Sequence, residues 1–322
     1  MPTPVGGDVP LDSNSTPAPG HAPAPVPTDG AAPRRSAWWV RMLAAVPLPL
    51  LYAFASLVGW LAWRVVPYRK ELVHDHLKLA FPEMDEKALQ DVMRRYYAGF
   101  ADMFVEIVKS ASMPPEQIRK RVRILNIEVP RELLDQGKPV LCVAAHQCNW
   151  EWMLLGFSLE LGYPVDAAYK PLVDPWAERE MKIVRSRFGC RLIPAKELLP
   201  DIIKRRGIAR AVAMVADQEP TTSEHKHWTK FLNRDTAFYM GPEEIARVTK
   251  FPVFFIVMRR VKRGYYEMAF EPLAQLGEKL APGELTERYA RRVEQQIRDA
   301  PPDWPWSHKR WKLKKSVYGA RR

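Results

Sequence analysis

The chain has 322 residues, 47% of them hydrophobic and 27% charged, so it can build a sizeable core and is not disordered as a whole. Its mean hydropathy of −0.29 excludes a protein made largely of membrane spans. Lysine and arginine outnumber acidic residues by 49 to 37, which indicates an anionic partner: nucleic acid, acidic lipid or an acidic protein. The odd number of cysteines (Cys142, Cys148 and Cys190) argues against a disulfide framework and favours a reducing compartment.

The first 36 residues are rich in Pro, Ala and Gly and contain almost no large apolar side chains. Such a segment cannot bury enough surface to offset the entropy lost on ordering, so we predict a disordered tail over residues 1–36. A proline-rich ligand for a partner domain is the alternative.

An uncharged stretch of 22 residues follows, from Met42 to Trp63. As one helix it would be about 33 Å long, which matches the hydrocarbon core of a bilayer. Tryptophans lie near both ends, as in interfacial aromatic belts: Trp38, Trp39, Trp60 and Trp63. We therefore predict a membrane-anchor helix over residues 37–66. The alternatives are a re-entrant anchor broken at Pro47 and Pro49, and a buried core helix.

The remaining residues, 67–322, show no second apolar span and are predicted to form one globular domain. Strand-like runs occupy residues 122–129, 139–145, 164–169, 209–216, 252–260 and 265–270. Helical patterns occupy residues 68–80, 85–111, 150–161, 175–188, 196–206, 241–250 and 284–299. This alternation predicts an α/β fold with a mostly parallel central sheet flanked by helices.

Residues 139–162 give the clearest indication of chemistry. A buried strand ends before His146, Asn149 suits a helix N-cap, and Glu151 falls in the first turn of the next helix. Ligands of open α/β sheets bind at the carboxyl ends of the strands. A carboxylate that accepts a hydrogen bond from one imidazole nitrogen leaves the other nitrogen as a general base for a hydroxyl. The alternative is that His146 and Glu151 have only structural roles.

The sequence His146-Gln-Cys-Asn-Trp-Glu151 resembles the HX4(D/E) motif of the glycerolipid acyltransferase superfamily, in the form used by its bacterial lipid A late-acyltransferase branch. The resemblance covers roughly residues 40–315 and includes five further segments in order. These are LKLAFPEM (77–84), RSRFG (185–189), VADQ (215–218), a glycine before a helix (Gly241) and PDWPWSHKRWK (302–312).

The resemblance implies that residues 67–322 are an acyltransferase domain. His146 would deprotonate an acceptor hydroxyl, which attacks the thioester of an acyl-carrier protein or acyl-CoA, and Glu151 would orient His146. Neither a metal, a cofactor nor a covalent acyl-enzyme is then required. Further residues are expected in substrate binding: Asn149, Trp150, Arg185, Asp217 and Gln218.

The resemblance also implies a place and partners. We expect a bacterial inner-membrane protein with its catalytic domain on the cytoplasmic face and an anionic glycolipid acceptor resembling a lipid A precursor. A lysophospholipid, an ornithine lipid or another glycolipid is the alternative acceptor. The acidic surface of an acyl-carrier protein would suit the basic residues of 205–206 and 259–263.

Other interpretations of the same residues remain open. Cys148 can be a nucleophile next to His146. The pairs His74/His76 and His225/His227 suggest metal ligands, although no cysteine or carboxylate joins them at structural-zinc spacing. The basic, Trp-rich segment after residue 303 favours a membrane interface over nucleic acid. A membrane-tethered α/β binding protein is the non-enzymatic alternative.

Overall fold

The computed structural model describes residues 35–66, 68–222 and 225–315. All but the last two residues of the predicted tail, residues 1–36, lie outside this part of the chain. The end of the basic carboxyl-terminal segment, from residue 316 onwards, also lies outside it.

The described residues form eleven α-helices and nine strands. The helices are α1 (Trp38–Ala45), α2 (Leu48–Arg64), α3 (Lys70–Ala80), α4 (Glu86–Ser110), α5 (Pro115–Arg121), α6 (Glu128–Asp135), α7 (Trp150–Glu160), α8 (Pro175–Arg185), α9 (Leu198–Lys204), α10 (Gly241–Thr249) and α11 (Glu284–Asp299). The strands are β1 (Val122–Ile124), β2 (Val140–Ala144), β3 (Val165–Tyr169), β4 (Arg191–Pro194), β5 (Ala211–Val215), β6 (Lys226–Phe231), β7 (Arg234–Tyr239), β8 (Val253–Lys262) and β9 (Tyr265–Ala274).

Seven strands form the central sheet, in the order β1-β9-β8-β2-β5-β3-β4. Strands β8 and β9 pair antiparallel, and the other neighbours pair parallel. The predicted α/β class with a mostly parallel sheet is therefore confirmed. Every residue of β2 is buried, because helices cover both faces of the sheet. One face packs against α5 to α8, and the other against α3, α10 and α11.

Residues 37–66, predicted as one membrane-anchor helix, form two helices instead. The chain forms α1 and α2, which meet at an angle of 100°, and no single helix among the described residues is long and apolar enough to cross a membrane. Pro47 and Pro49 explain the break, since proline lacks the N–H that a helix interior needs but suits a first turn. By length and composition the bent pair together could form a broken span or a re-entrant loop.

Helix α2 lies with one side on α4 and leaves the other side exposed. A Cβ atom on Gly59 would come within 3.0 Å of the carbonyl oxygen of Tyr97, so glycine permits this close packing. The other side of α2 exposes large apolar side chains: Leu50, Phe54, Leu57, Val58 and Trp60. Such an apolar face is unusual on a helix that meets only water.

The carboxyl-terminal segment is also placed differently from the prediction. Trp304 and Trp306, expected at a membrane interface, are 1% and 0% exposed, and Arg310 between the basic residues is fully buried. Trp306 packs edge-on against Phe81, the residue that follows α3. This part of the segment therefore belongs to the protein core.

A two-stranded hairpin, β6–β7, was not predicted. It occupies the stretch after residue 225 and turns at Leu232 and Asn233, which have φ angles of 48° and 63°. Such turns are usually recognised by a glycine after the asparagine, and here the sequence continues with Arg234.

Candidate active site

His146 lies just beyond the carboxyl end of β2, as predicted, and the loop that carries it leads directly into α7. The side chain of Asn149 accepts a hydrogen bond from the backbone N–H of Trp152 (2.9 Å), which caps α7 as its sequence position indicated. Cys148, between them, has a φ of 52°, so the turn forces a non-glycine residue into the left-handed region. Such local strain is common where a functional side chain is held in a fixed direction.

The partner of the His146 imidazole is Asp217. Nδ1 of His146 lies 2.6 Å from Oδ1 of Asp217, and the backbone N–H of His146 lies 3.2 Å from each carboxylate oxygen. Asp217 follows β5, which pairs with β2, so the carboxyl ends of both strands meet at one edge of the sheet. With Nδ1 donating to the carboxylate, Nε2 is the nitrogen that can accept a proton.

Asp217 is only 1% exposed, yet it is held as a carboxylate. Burial alone would raise the pKa of Asp217, but the charge of His146 and hydrogen bonds from His146 and Trp304 lower it below its usual range. The indole N–H of Trp304 donates to Oδ2 at 2.9 Å. An ionised carboxylate in this position fixes the imidazole tautomer and stabilises the imidazolium.

The predicted contact between Glu151 and His146 is wrong. Arg185 of α8 donates two hydrogen bonds to the Glu151 carboxylate (2.8 and 2.5 Å), and the Trp150 indole donates a third (3.1 Å). Because α7 already begins at Trp150, Glu151 lies in its first turn and its side chain reaches α8. Arg185 is therefore near the site, as expected, through its ion pair with Glu151.

The other three predicted substrate-binding residues divide into two groups. The ring of Trp150 lies edge-on to the imidazole at 5.0 Å, and the amide nitrogen of Gln218 lies 3.4 Å from Nε2 of His146. Asn149, by contrast, is 0% exposed, and its amide group donates to Glu106 at 2.7 Å. In the structure Asn149 therefore fixes the loop, and its role in substrate binding stays a prediction.

A cavity of about 360 Å³ opens beside His146. Polar groups line one part of it: His146, Glu151, Arg185, Gln218 and Glu219. The other part is apolar, formed by small side chains of the sheet (Ala144, Ala167, Ala213) and large ones of α7 (Met153, Phe157). The volume lies within the range of small-molecule sites, about 300–1,000 Å³. A cavity lined by apolar side chains and by His146 can hold an apolar chain that carries a reactive carbonyl.

Cys148 lacks the properties of a nucleophile. Burial raises the pKa of its thiol well above the usual value, and Sγ lies 3.7 Å from the carbonyl oxygen of Met258. A neutral, buried thiol is a poor nucleophile, because the thiolate is the reactive form.

The histidines of the two predicted pairs contact different partners. His74 and His225 lie beside Glu86 and Glu244, and His76 bonds the carbonyl oxygen of Trp306. Within the described residues, no group of three or more His, Cys, Asp or Glu side chains could hold a metal ion.

The basic stretches expected to meet an acidic carrier protein are largely engaged within the chain. Arg205 bonds Asp166 and Asp201, and Arg260 bonds Asp303 at 3.0 Å. Arg263 bonds Asp102. These guanidinium groups therefore have intramolecular carboxylate partners, and their contact with an acidic carrier protein stays a prediction.

Comparison with known proteins agrees with the geometry. Residues 36–313 match the family model of bacterial lipid A biosynthesis acyltransferases. A lipid A biosynthesis lauroyltransferase of Escherichia coli K12 is 23% identical over 276 residues, covering 85% of this chain and 89% of that protein. A lipid A biosynthesis acyltransferase of Haemophilus influenzae is 21% identical over 274 residues, covering 84% of each. The chain therefore belongs to the bacterial lipid A biosynthesis acyltransferase family and is an acyltransferase.

Proposed function

We propose that this acyltransferase transfers a fatty acyl group from a thioester to a hydroxyl of a lipid A precursor, with His146 as general base and Asp217 as the carboxylate that orients it. The observation that carries the proposal is the position of His146. Its Nδ1 lies 2.6 Å from a buried carboxylate, and its ring borders the cavity. This arrangement has the roles of the histidine and carboxylate in acyl-transfer enzymes, with the substrate hydroxyl as the nucleophile.

The reaction then takes two steps. The acceptor hydroxyl gives its proton to Nε2 of His146 as its oxygen attacks the thioester carbonyl, which forms a tetrahedral oxyanion. The oxyanion collapses, the carbon–sulfur bond breaks, and the departing thiolate takes the proton from the imidazolium. Asp217 stabilises the imidazolium between the two steps. The amide of Gln218, 3.4 Å from Nε2, is placed to hydrogen-bond the acceptor hydroxyl before it reacts.

Glu151 and Arg185 act together on the shape of the site. Their two hydrogen bonds join the first turn of α7 to the last turn of α8, and both side chains line the cavity. The amino terminus of α7 adds a partial positive charge near the position of the oxyanion. We assign Glu151 to holding this helix end in place rather than to orienting His146.

The apolar part of the cavity is the proposed site of the acyl chain. Ala144, Ala167 and Ala213 line the cavity with small side chains from the sheet, and Phe157 lines it from α7. A fatty chain placed there would leave water and gain about 0.8 kcal/mol for each buried CH₂ group. The donor is an acyl-carrier protein or acyl-CoA.

The protein is proposed to act at the cytoplasmic face of the bacterial inner membrane, where a thioester donor and a lipid acceptor meet. Exposed apolar side chains on α1 and α2 support contact with the bilayer: Trp38, Met42, Leu50, Phe54, Leu57 and Trp60. The bend between the two helices suits a re-entrant or half-embedded attachment.

Mass spectrometry of membrane lipids tests this function. Cells with and without the gene are compared, with wild-type protein or His146→Ala restored. We expect a lipid A species one acyl chain lighter in the deletion strain, corrected by wild type and not by His146→Ala. Unchanged lipid A with altered ornithine lipids or phospholipids would contradict the proposed acceptor. Purified protein given acyl-carrier-protein and CoA thioesters in parallel identifies the donor.

A further inference from the structure

The segment from Pro301 to Arg310 passes behind the catalytic pair and touches it at two points. The carbonyl oxygen of Asp303 accepts a hydrogen bond from the backbone N–H of Cys148 (2.9 Å), within the loop that carries His146. The next residue, Trp304, donates its indole N–H to Oδ2 of Asp217 (2.9 Å). Asp303 therefore holds the loop that carries His146, and Trp304 holds the carboxylate of Asp217.

We infer that Trp304 is a positioning residue for acyl transfer: its indole N–H fixes the Asp217 carboxylate in the orientation that holds His146, a role that rests on the proposed functions of His146 and Asp217. The terminal torsion of an aspartate is soft, so hydrogen bonds decide how its carboxylate is turned. Oδ1 has the imidazole as a donor at 2.6 Å. Without the indole, the one donor left to Oδ2 among the described residues is the backbone N–H of His146, at 3.2 Å and shared between both oxygens.

Trp304 is itself held rigidly. It is buried, and its ring packs edge-on against Trp306 with ring centroids 4.8 Å apart. Phe231 of β6 lies on another side at 6.4 Å. A donor fixed in this way needs no reorganisation during the reaction, which is the property that makes preorganised hydrogen bonds effective.

Charged and titratable groups on the neighbouring elements also face Asp217. Burial raises the pKa of Tyr289 of α11, and the charge of nearby Asp217 raises it further. Burial lowers the pKa of Arg310 to about 10. Burial lowers the pKa of His308 to about 4, so it is neutral at pH 7. The Tyr289 hydroxyl donates to Ala144 and Arg310 donates to Ala237. Among the described residues, the side chains that donate to Asp217 are His146 and Trp304.

The test compares Trp304→Phe with Trp306→Phe in the full-length protein. Both substitutions keep a buried aromatic ring and remove one N–H. Trp306 donates to the carbonyl oxygen of Pro301 (2.7 Å), away from the catalytic pair, so it is the matched control. The readouts are kcat, KM for donor and acceptor, the pH profile of kcat/KM and the thermal midpoint Tm.

For Trp304→Phe we expect kcat to fall about tenfold to a hundredfold, the usual range for a lost hydrogen bond to a charged group. KM should stay within about twofold, because no substrate contact is removed. Asp217, less stabilised as an anion, then attracts the imidazolium proton more strongly, so the acid limb of the profile moves to higher pH. Trp306→Phe should lower Tm but leave kcat and the pH profile within about twofold of wild type, because the retained aromatic ring still packs against Trp304 and the N–H group on Asp217 is kept.

Two results would overturn the inference: wild-type kcat and pH profile in Trp304→Phe, or equal losses of kcat in both variants. His146→Ala is measured in the same assay. If it is inactive while Trp304→Phe behaves as wild type, the role of Trp304 fails and the proposed function stands. If His146→Ala retains full turnover, the proposed function fails and the role of Trp304 fails with it.

Discussion

Nδ1 of His146 and Oδ1 of Asp217 lie 2.6 Å apart, although 71 positions separate the two residues along the chain. The contact exists because β2 and β5 are neighbours in the sheet and each residue follows its strand at the carboxyl end. Glu151, five positions after His146, bonds Arg185 instead. Substitutions of Asp217 and of Glu151 are therefore expected to affect kcat differently.

Glu151→Gln should reduce kcat by no more than about tenfold, since it weakens an ion pair that shapes the cavity without touching the imidazole. It should lower Tm, because Arg185 would lose a charged partner. Steady-state kinetics and thermal unfolding measure both effects. Complete loss of kcat at unchanged Tm would instead assign Glu151 a direct part in the reaction.

Cys148→Ala should retain kcat within about twofold, because a buried neutral thiol takes no part in the transfer. His146→Ala in the same assay should be inactive. An acyl-enzyme trapped on Cys148 and seen by mass spectrometry would contradict the direct transfer to the acceptor.

Ala213→Leu should shift the preferred donor to a shorter acyl chain. Ala213 lines the apolar part of the cavity, so the added isobutyl group fills space that the chain would occupy. Competition between donors of different chain length, followed by mass spectrometry of the product, measures the shift. Ala237→Leu on β7 is the control, since Ala237 is also buried but does not line the cavity. The same shift in both variants would contradict the proposed acyl site.

Leu57→Cys, labelled with an environment-sensitive dye, should report contact of α2 with a bilayer. Burial raises the pKa of all three native thiols, so the introduced cysteine is the reactive one among the described residues. We expect a blue shift on adding phosphatidylglycerol–phosphatidylethanolamine vesicles. Val248→Cys on α10 is the control, because Val248 is 53% exposed and Leu57 is 54%. No shift at Leu57, or equal shifts at both sites, would contradict membrane contact through α2.

The sequence predicts the His146 loop well, because its signals are local. The apolar run before Ala145 specifies a buried strand, and Asn149 specifies the start of a helix. The pairing of His146 with Asp217 depends instead on the order of strands in the sheet, which no local pattern encodes. The sequence indicates this pairing only in that both residues follow buried apolar strands, whose carboxyl ends can meet at one edge of a sheet.

Composition alone misplaced one segment and missed a break in another. Aromatic and basic residues together are typical of a membrane interface. The rings of Trp304 and Trp306 are instead buried in the core, and their indole N–H groups donate hydrogen bonds to Asp217 and to the carbonyl oxygen of Pro301. In the same way, residues 42–63 have the composition of a span, and Pro47 divides them into two helices. Burial and continuity are tertiary properties, so the structure was needed to assign them.

Asp217→Asn tests the central claim most directly. An amide at this position can present its NH₂ group or a neutral oxygen to Nδ1, so the imidazole loses both its fixed tautomer and the charge that stabilises it. The measurement is kcat of the purified protein with a thioester donor and a lipid A precursor, with circular dichroism to confirm folding. We expect kcat to fall about 1,000-fold or more, as when the carboxylate of a catalytic triad is replaced by its amide. A folded Asp217→Asn protein with kcat within about tenfold of wild type would contradict the assignment of Asp217 as the partner of His146.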